Sequence, residues 1–135
     1  MTDDTAQAML DVEQVVLRVA RCSDQASIDD LLALFADDAV LDLGSRQVEG
    51  RAELFEFFGA SPRPKDGRER TKHVISNVLI EVDGDAASAH SYFQVLRSAG
   101  LTAWGQYDDQ LARVDGSWKI RRRAITSDGQ APRPA

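Results

Sequence analysis

Residues 71–97 read TKHVISNVLIEVDGDAASAHSYFQVLR, and the reading of this stretch decides the fold. From Thr71 to Val82 apolar and polar residues alternate, the period of a strand. Asp83-Gly84-Asp85 supplies a hairpin turn, and Ala86–Arg97 alternates again as the returning strand. Strict alternation puts Val74, Val78, Ile80 and Val82 on one face of the first strand and His73, Ile75, Asn77 and Leu79 on the other. Both faces carry apolar residues, so both need cover. One is expected to meet helices and a pocket, the other a second subunit.

Downstream the meander continues. Ser98-Ala99-Gly100 turns, Leu101–Val114 is a third strand, Asp115-Gly116 turns, and Ser117–Ile125 is the last strand. Residues 126–135 have the composition of a disordered tail. Upstream of residue 70 the period is helical. Residues 1–5 read as a frayed end. Met9, Val12, Val16, Val19 and Cys22 recur at spacings of three and four over Ala6–Cys22, one apolar stripe. Ser23-Asp24-Gln25-Ala26 breaks it. Ser27, with Asp30 three positions later, opens a second helix as an N-cap; Ile28, Leu31, Leu32, Leu34 and Phe35 are its apolar residues and Asp37-Asp38 its end. Ala39–Leu43 is a short strand, Gly44-Ser45 a turn, and Arg46–Glu49 pairs back. Arg51–Phe58 is a third helix, and residues 59–70, with two prolines and two glycines, form a surface loop. Helices first and a long antiparallel meander after them make an α+β domain over residues 1–125, with helices on one face of a sheet.

Composition narrows the function. The 135 residues carry a net charge of −6, and residues 1–42 alone hold ten acids and two bases. Such a field does not attract phosphate backbones, so nucleic acid is not an expected partner. Arg121-Arg122-Arg123 is no exception, because neighbours on a strand point to opposite faces. No apolar run reaches the length that spans a bilayer, and the acidic N-terminus lacks the pattern of a secretory signal; a cytoplasmic location without membrane attachment is expected. The single cysteine, Cys22, allows no internal disulfide and reads as a buried, inert thiol. No zinc, P-loop or nucleophile-elbow motif occurs, so neither a metal nor a cofactor is expected.

Acid–base chemistry by carboxylate and imidazole is what remains. The two histidines are His73 and His90. His73 shares a strand face with Ile75 and Leu79, where it packs in the core or lines a cavity. His90 reads as a half-exposed strand residue. Asp24, before a helix break, has the position of a turn or cap residue. Asp42 alternates with Val40, leaving it in a cavity or in solvent. Tyr92, Trp104, Tyr107 and Trp118 read as core packing, and Asp83, Asp85, Asp108, Asp109 and Asp115 as turns or exposed strand positions. Which of Val19, Phe55, Phe58, Tyr92 and Trp104 turn inward sets the pocket; Val19, Asp42, Phe58, Tyr92 and Trp104 are the substrate-contact candidates.

Leu34-Phe35-Ala36-Asp37-Asp38-Ala39-Val40 after a two-helix start resembles the SnoaL-like branch of the nuclear transport factor 2-like superfamily. So do His73-Val74-Ile75-Ser76-Asn77, Val82-Asp83-Gly84-Asp85, Gly105-Gln106-Tyr107-Asp108 and Asp115-Gly116-Ser117-Trp118-Lys119-Ile120. The resemblance spans roughly residues 8–125. It implies a cone-shaped α+β barrel: a strongly curved, mostly antiparallel sheet wrapped around N-terminal helices, with an apolar pocket at the open end.

Within the branch the chain is most similar to the group of scytalone dehydratase, bile acid 7α-dehydratase and hexachlorocyclohexane dehydrochlorinase. These share a pocket Asp–His pair, which the motifs place at Asp24 and His73. The group's dehydratases carry a tyrosine five positions before the Asp, where this chain has Val19; scytalone dehydratase has a second histidine near this chain's Arg97. The dehydrochlorinase branch has a pocket arginine late in the last strand, matched by Arg123. Ketosteroid isomerase, a relative, has its general base and oxyanion tyrosine where this chain has Leu43 and Val19, which disfavours that reaction. The resemblance thus implies a cofactor-independent lyase, a dehydratase or related β-elimination enzyme, acting on a small apolar, aromatic or alicyclic molecule. His73 and Asp24 are its catalytic candidates and Arg123 a substrate contact. A polyketide cyclase or isomerase in the same pocket is the alternative. A non-catalytic ligand-binding or scaffold subunit, like the small subunit of ring-hydroxylating dioxygenases, is another. A homodimer or homotrimer is expected.

Overall fold

A computed structural model describes residues 2–60 and 70–132 of the chain. Helix α1 runs Asp3–Gln25, α2 Ile28–Leu32 and α3 Gly50–Gly59. The strands are β1 Phe35–Asp42, β2 Gln47–Glu49, β3 Lys72–Asp83, β4 Ala86–Arg97, β5 Gly100–Val114 and β6 Ser117–Gln130. They form one six-stranded sheet in the order β2-β1-β6-β5-β4-β3. Only β1 and β6 run parallel; every other neighbouring pair is antiparallel. This is the expected mostly antiparallel α+β architecture.

Helix α1 starts earlier than the pattern suggested, because the Thr2 side chain accepts from the Thr5 N–H and caps it. Ala26, at φ 59°, ends it in the left-handed region, with Ser27 N–H on the Cys22 carbonyl. Helix α2 is shorter than expected. Ser27 stands at its N-cap position but makes no side-chain capping bond. Leu34 falls between the elements and Phe35 joins β1, so Asp37-Asp38 lie on a strand instead of closing a helix. Their partners are Arg51 and Arg121, in exposed pairs of little energetic weight. The last strand passes Ile125 and continues to Gln130, against Ala103 and Trp104 of β5. The expected tail is therefore strand for its first five residues, and residues 133–135 lie outside the described chain. Most of the expected 59–70 loop also lies outside it.

The core sits between the helices and the concave face of the sheet. Val12 and Val16 of α1, Leu31 of α2, Leu54 of α3, Leu41 of β1 and Ile120 of β6 are among its fully buried side chains. Each contributes on the order of 1.5–3 kcal/mol relative to exposure.

The sheet curves because the strands are not regular. Between Ser76 and Leu79, β3 carries one residue more than β4, and Asn77 sits there at φ 52°. Similar shifts occur between Val95 and Leu96, between Gln110 and Leu111, and between Trp104 and Gly105. Each such bulge bends its strand and raises the local twist. The Asn77 bulge also reverses the alternation. His73 and Ile75 face inward before it; Ile80 and Val82 face inward after it. Leu79 is consequently on the outer face, 71% exposed, not beside His73 as unbroken alternation requires. The outer face also exposes Val74, Tyr92, Leu96, Leu101 and Trp104.

Asparagine tolerates the left-handed backbone that β-branched residues resist. Asn77→Val is expected to cost about 1–2 kcal/mol in urea unfolding, and Asn77→Gly well under that. Equal losses for both would mean that the asparagine side chain, not the backbone geometry, holds the bulge.

Candidate active site

Asp24 lies in the last turn of α1, and His73 is the second residue of β3. A carboxylate at a helix C-terminus opposes the helix dipole, by about 0.3–1 kcal/mol at exposed sites. Here it is bound elsewhere. Both carboxylate oxygens accept the His73 backbone N–H at 3.0 Å, and Oδ1 lies 2.6 Å from His73 Nδ1. The Asp24 side chain is 8% exposed and that of His73 26%. A carboxylate that accepts from Nδ1 favours the tautomer with the proton there, which leaves the lone pair on Nε2. No described residue bonds Nε2, and the imidazole lines a cavity.

That cavity has a volume of about 370 Å³. Val19 of α1, Ile28 and Leu31 of α2, Phe35 and Leu41 of β1, and Phe57 and Phe58 of α3 make much of its wall apolar. The polar groups on it come mainly from the sheet: His73, Arg97, Thr102, Tyr107 and Arg123, with Ser23 and Thr71. Asp24 is not on the wall; it stands behind His73. The volume suits a small molecule, and the lining is the usual one for such sites, apolar with a few convergent polar groups.

Arg123 is 4% exposed and Asp109 is fully buried. They meet in a two-pronged ion pair, Nε–Oδ1 2.7 Å and Nη2–Oδ2 2.9 Å. Burial opposes the guanidinium charge, but Asp109's charge and hydrogen bonds prevail and raise its pKa further. Each partner offsets the other's charge in the buried pair. Arg123 also stacks on Tyr107, its Cζ 3.9 Å from the ring centroid. From the β4 side, Phe93 stacks on the same ring at 4.5 Å. Burial raises the Tyr107 pKa; Arg123 opposes this, while Asp109 and Asp24 add to it.

Of the candidates read from the sequence, His73, Val19, Phe58 and Arg123 lie on the cavity wall, and Asp24 directly behind it. Three do not belong there. Asp42 accepts from Arg122 Nη2 at 2.6 Å and from the Gly44 N–H, stabilising the β1–β2 turn. Tyr92 and Trp104 are 50% and 37% exposed on the convex face, where the Trp104 ring covers Gly129. Phe55 is exposed, and its neighbour Phe57 lines the wall instead. His90 is exposed and paired with Asp108 on the outer face. Cys22 is half-buried, and desolvation raises its pKa, consistent with an inert thiol.

Two residues of the site escape the sequence pattern: Asp109 reads as exposed and Tyr107 as plain core, yet one is fully buried against Arg123 and the other lines the cavity. The signal was present, since Gly105, Tyr107, Asp109 and Leu111 alternate on one face of β5 and Asp109 pairs in register with Arg123. Among the described residues, no three His, Cys, Asp or Glu side chains gather into a metal-binding group. No described helix is long and apolar enough to cross a membrane.

The SnoaL-like domain family matches residues 4–124, and the chain belongs to that family. The uncharacterized protein Rv2910c of Mycobacterium tuberculosis is 28% identical over 129 residues, covering 87% of this chain and 83% of its own. A Nostoc punctiforme protein of unknown function with a cystatin-like fold superposes with a TM-score of 0.82 at 25% identity, covering 95% of this chain and 96% of the other. A candidate scytalone dehydratase from Novosphingobium aromaticivorans superposes at 0.83 with 24% identity, covering 100% and 93%. The architecture is thus the NTF2-like, or cystatin-like, fold.

Because the neutral phenol is favoured in the folded state, Tyr107 should ionise above the ordinary tyrosine value of 10.0. The stability this contributes is complete below that value and is lost as pH rises through the folded-state pKa. Tyr92→Phe leaves Tyr107 as the sole tyrosine, so tyrosinate absorbance against pH reads it directly. The midpoint is expected above 10 and coincident with unfolding; a midpoint at or below the ordinary value contradicts the buried placement.

Proposed function

We propose that this SnoaL-like protein is a cofactor-independent lyase in which His73 is the general base. The observation that carries the reading is the Asp24–His73 contact, with Nδ1 held at 2.6 Å and Nε2 left to the cavity. A free imidazole titrates near about pH 6.5, so it is mostly neutral near neutrality yet basic enough to take a proton from an activated carbon. Nε2 accepts that proton. The C–H pair becomes the new C=C bond, and the β-substituent leaves with its own bonding pair. Asp24 touches no substrate; it selects the tautomer and stabilises the imidazolium as it forms, the role of the carboxylate in catalytic triads. The apolar wall suits a small aromatic or alicyclic substrate.

Two departures from the dehydratases shape the reading. Val19 supplies no hydroxyl, so a water held by a tyrosine at that position plays no part. Arg123 is already matched by Asp109, so it is not a free cation for a leaving anion. The candidate scytalone dehydratase among the structural neighbours supports a dehydratase-type reaction; a cyclase or isomerase in this cavity would leave the product with the substrate's mass.

Aromatic and alicyclic compounds bearing a leaving group β to an acidic C–H form the screening set, read by mass spectrometry for loss of water or hydrogen halide. On a turned-over compound, His73→Ala should lose about 10²–10⁴ in rate, and Asp24→Asn about tenfold or more. Near-full turnover in both variants rejects the assignment. The proposal includes self-association through the exposed apolar outer face. Sedimentation equilibrium should report a dimer or trimer, with Leu79→Lys shifting it toward monomer; a monomeric native protein contradicts this part.

A further inference from the structure

Tyr107 is 8% exposed, lies on the cavity wall, and is stacked against two side chains. Phe93 comes from β4, and Arg123 from β6. Its hydroxyl makes no hydrogen bond to any described residue. Nor is it a sealed orphan: the sealed, unpartnered side-chain atoms among the described residues are Ser91 Oγ and Trp118 Nε1. The Tyr107 hydroxyl therefore opens into the cavity. A buried phenol normally finds a partner, and here the partner has to be the occupant. Tyr107 and His73 line the same cavity, which puts donor and base on one space. Burial keeps the group protonated, hence a donor.

We propose that Tyr107 hydrogen-bonds an oxygen of the substrate on which negative charge develops, so that the cavity takes compounds whose acidic C–H lies beside a carbonyl, in preference to plain halocarbons. The inference rests on the assignment of His73 as base and deepens it. His73 Nε2 takes the proton α to the carbonyl. The C–H pair forms the enolate C=C while the carbonyl π pair moves onto oxygen, where the Tyr107 O–H meets it without transferring its proton. The carbonyl then re-forms, the enolate pair becomes the α,β double bond, and the β-substituent leaves with its bonding pair. A departing hydroxide takes the proton from the His73 imidazolium and leaves as water. Donors fixed before the reaction stabilise such an oxyanion without reorganising, and the stacked ring is fixed in this sense. The donor comes from β5 in the middle of the sheet, not from the α1 position that Val19 occupies.

The probe pair is 4-nitrophenolate, an enolate-like oxyanion, and 4-nitrotoluene, of similar shape but without that oxygen. Tyr107→Phe keeps the ring and its stacking. Titration calorimetry should show it weakening 4-nitrophenolate by about tenfold or more and 4-nitrotoluene by less than about twofold. In parallel, the native protein labelled at tyrosine Cζ should show the Tyr107 resonance moving with 4-nitrophenolate and not with 4-nitrotoluene, while Tyr92 serves as the outer-face reference. This readout needs no variant to fold. Equal losses for both probes in Tyr107→Phe, or no phenolate-specific movement of the Tyr107 resonance, including from failure of the native cavity to bind 4-nitrophenolate, overturn the proposal. Both probes report on the Tyr107 hydroxyl without any turnover. The Tyr107 assignment can therefore fail while that of His73 survives, and the reverse.

Discussion

One carboxylate ties this molecule together. Asp24 closes the long N-terminal helix and, through three contacts, receives the first inward residue of the strand that follows α3 in the fold. Its position is poor for the helix, at the negative end of the dipole and largely out of water. It is tolerated because one backbone N–H and one ring N–H satisfy it. The same contacts set where β3 begins, which tautomer His73 adopts and which ring nitrogen faces the cavity. The same hydrogen bonds join helix to strand and orient the imidazole, so the junction and the ring cannot be varied independently.

Curvature supplies the second condition. A flat sheet would pack tightly on the helices and leave no room for a ligand. Bulges interrupt the pairing of the long strands and bend them. Gly105 belongs to the same solution. A side chain there would collide with the Thr126 carbonyl and the Phe93 ring, so glycine lets Phe93 lie flat beside Tyr107. The result is a cavity with an apolar half from the helices and β1 and a polar half from the sheet. In the polar half, the buried Asp109–Arg123 pair is held by direct hydrogen bonds; such pairs are costly to break from one side.

Much of this was legible from residues alone. Hairpin turns such as Asp83-Gly84-Asp85 bound β4 at the expected residues, because a turn constrains backbone geometry locally. The Asp24–His73 pair was visible only through resemblance to a family, since 49 residues separate them and no local rule links a helix-end acid to a strand histidine. The faces of strands were the weak point. Alternation identifies two sets of residues without saying which set is inside. On β4 the small residues Ala87, Ala89 and Ser91 are buried against α1 and its surroundings, while the larger Tyr92 faces out, the opposite of what size suggests. Asn77 then shifts the phase of β3 by one, which a pattern of apolar residues on both faces hides. Asp109 was misjudged because a carboxylate is buried only beside a partner, and that partner, Arg123, lies on another strand.

The protonation geometry of one imidazole decides the chemistry open to this cavity. Long-range proton–nitrogen correlation NMR of the labelled protein, above the titration range of histidine, distinguishes the two neutral tautomers of His73. A protonated Nδ1 and an unprotonated Nε2 are expected, with the tautomer preference weakened in Asp24→Asn. A protonated Nε2 in the native protein, or a spectrum indifferent to Asp24, would contradict this assignment.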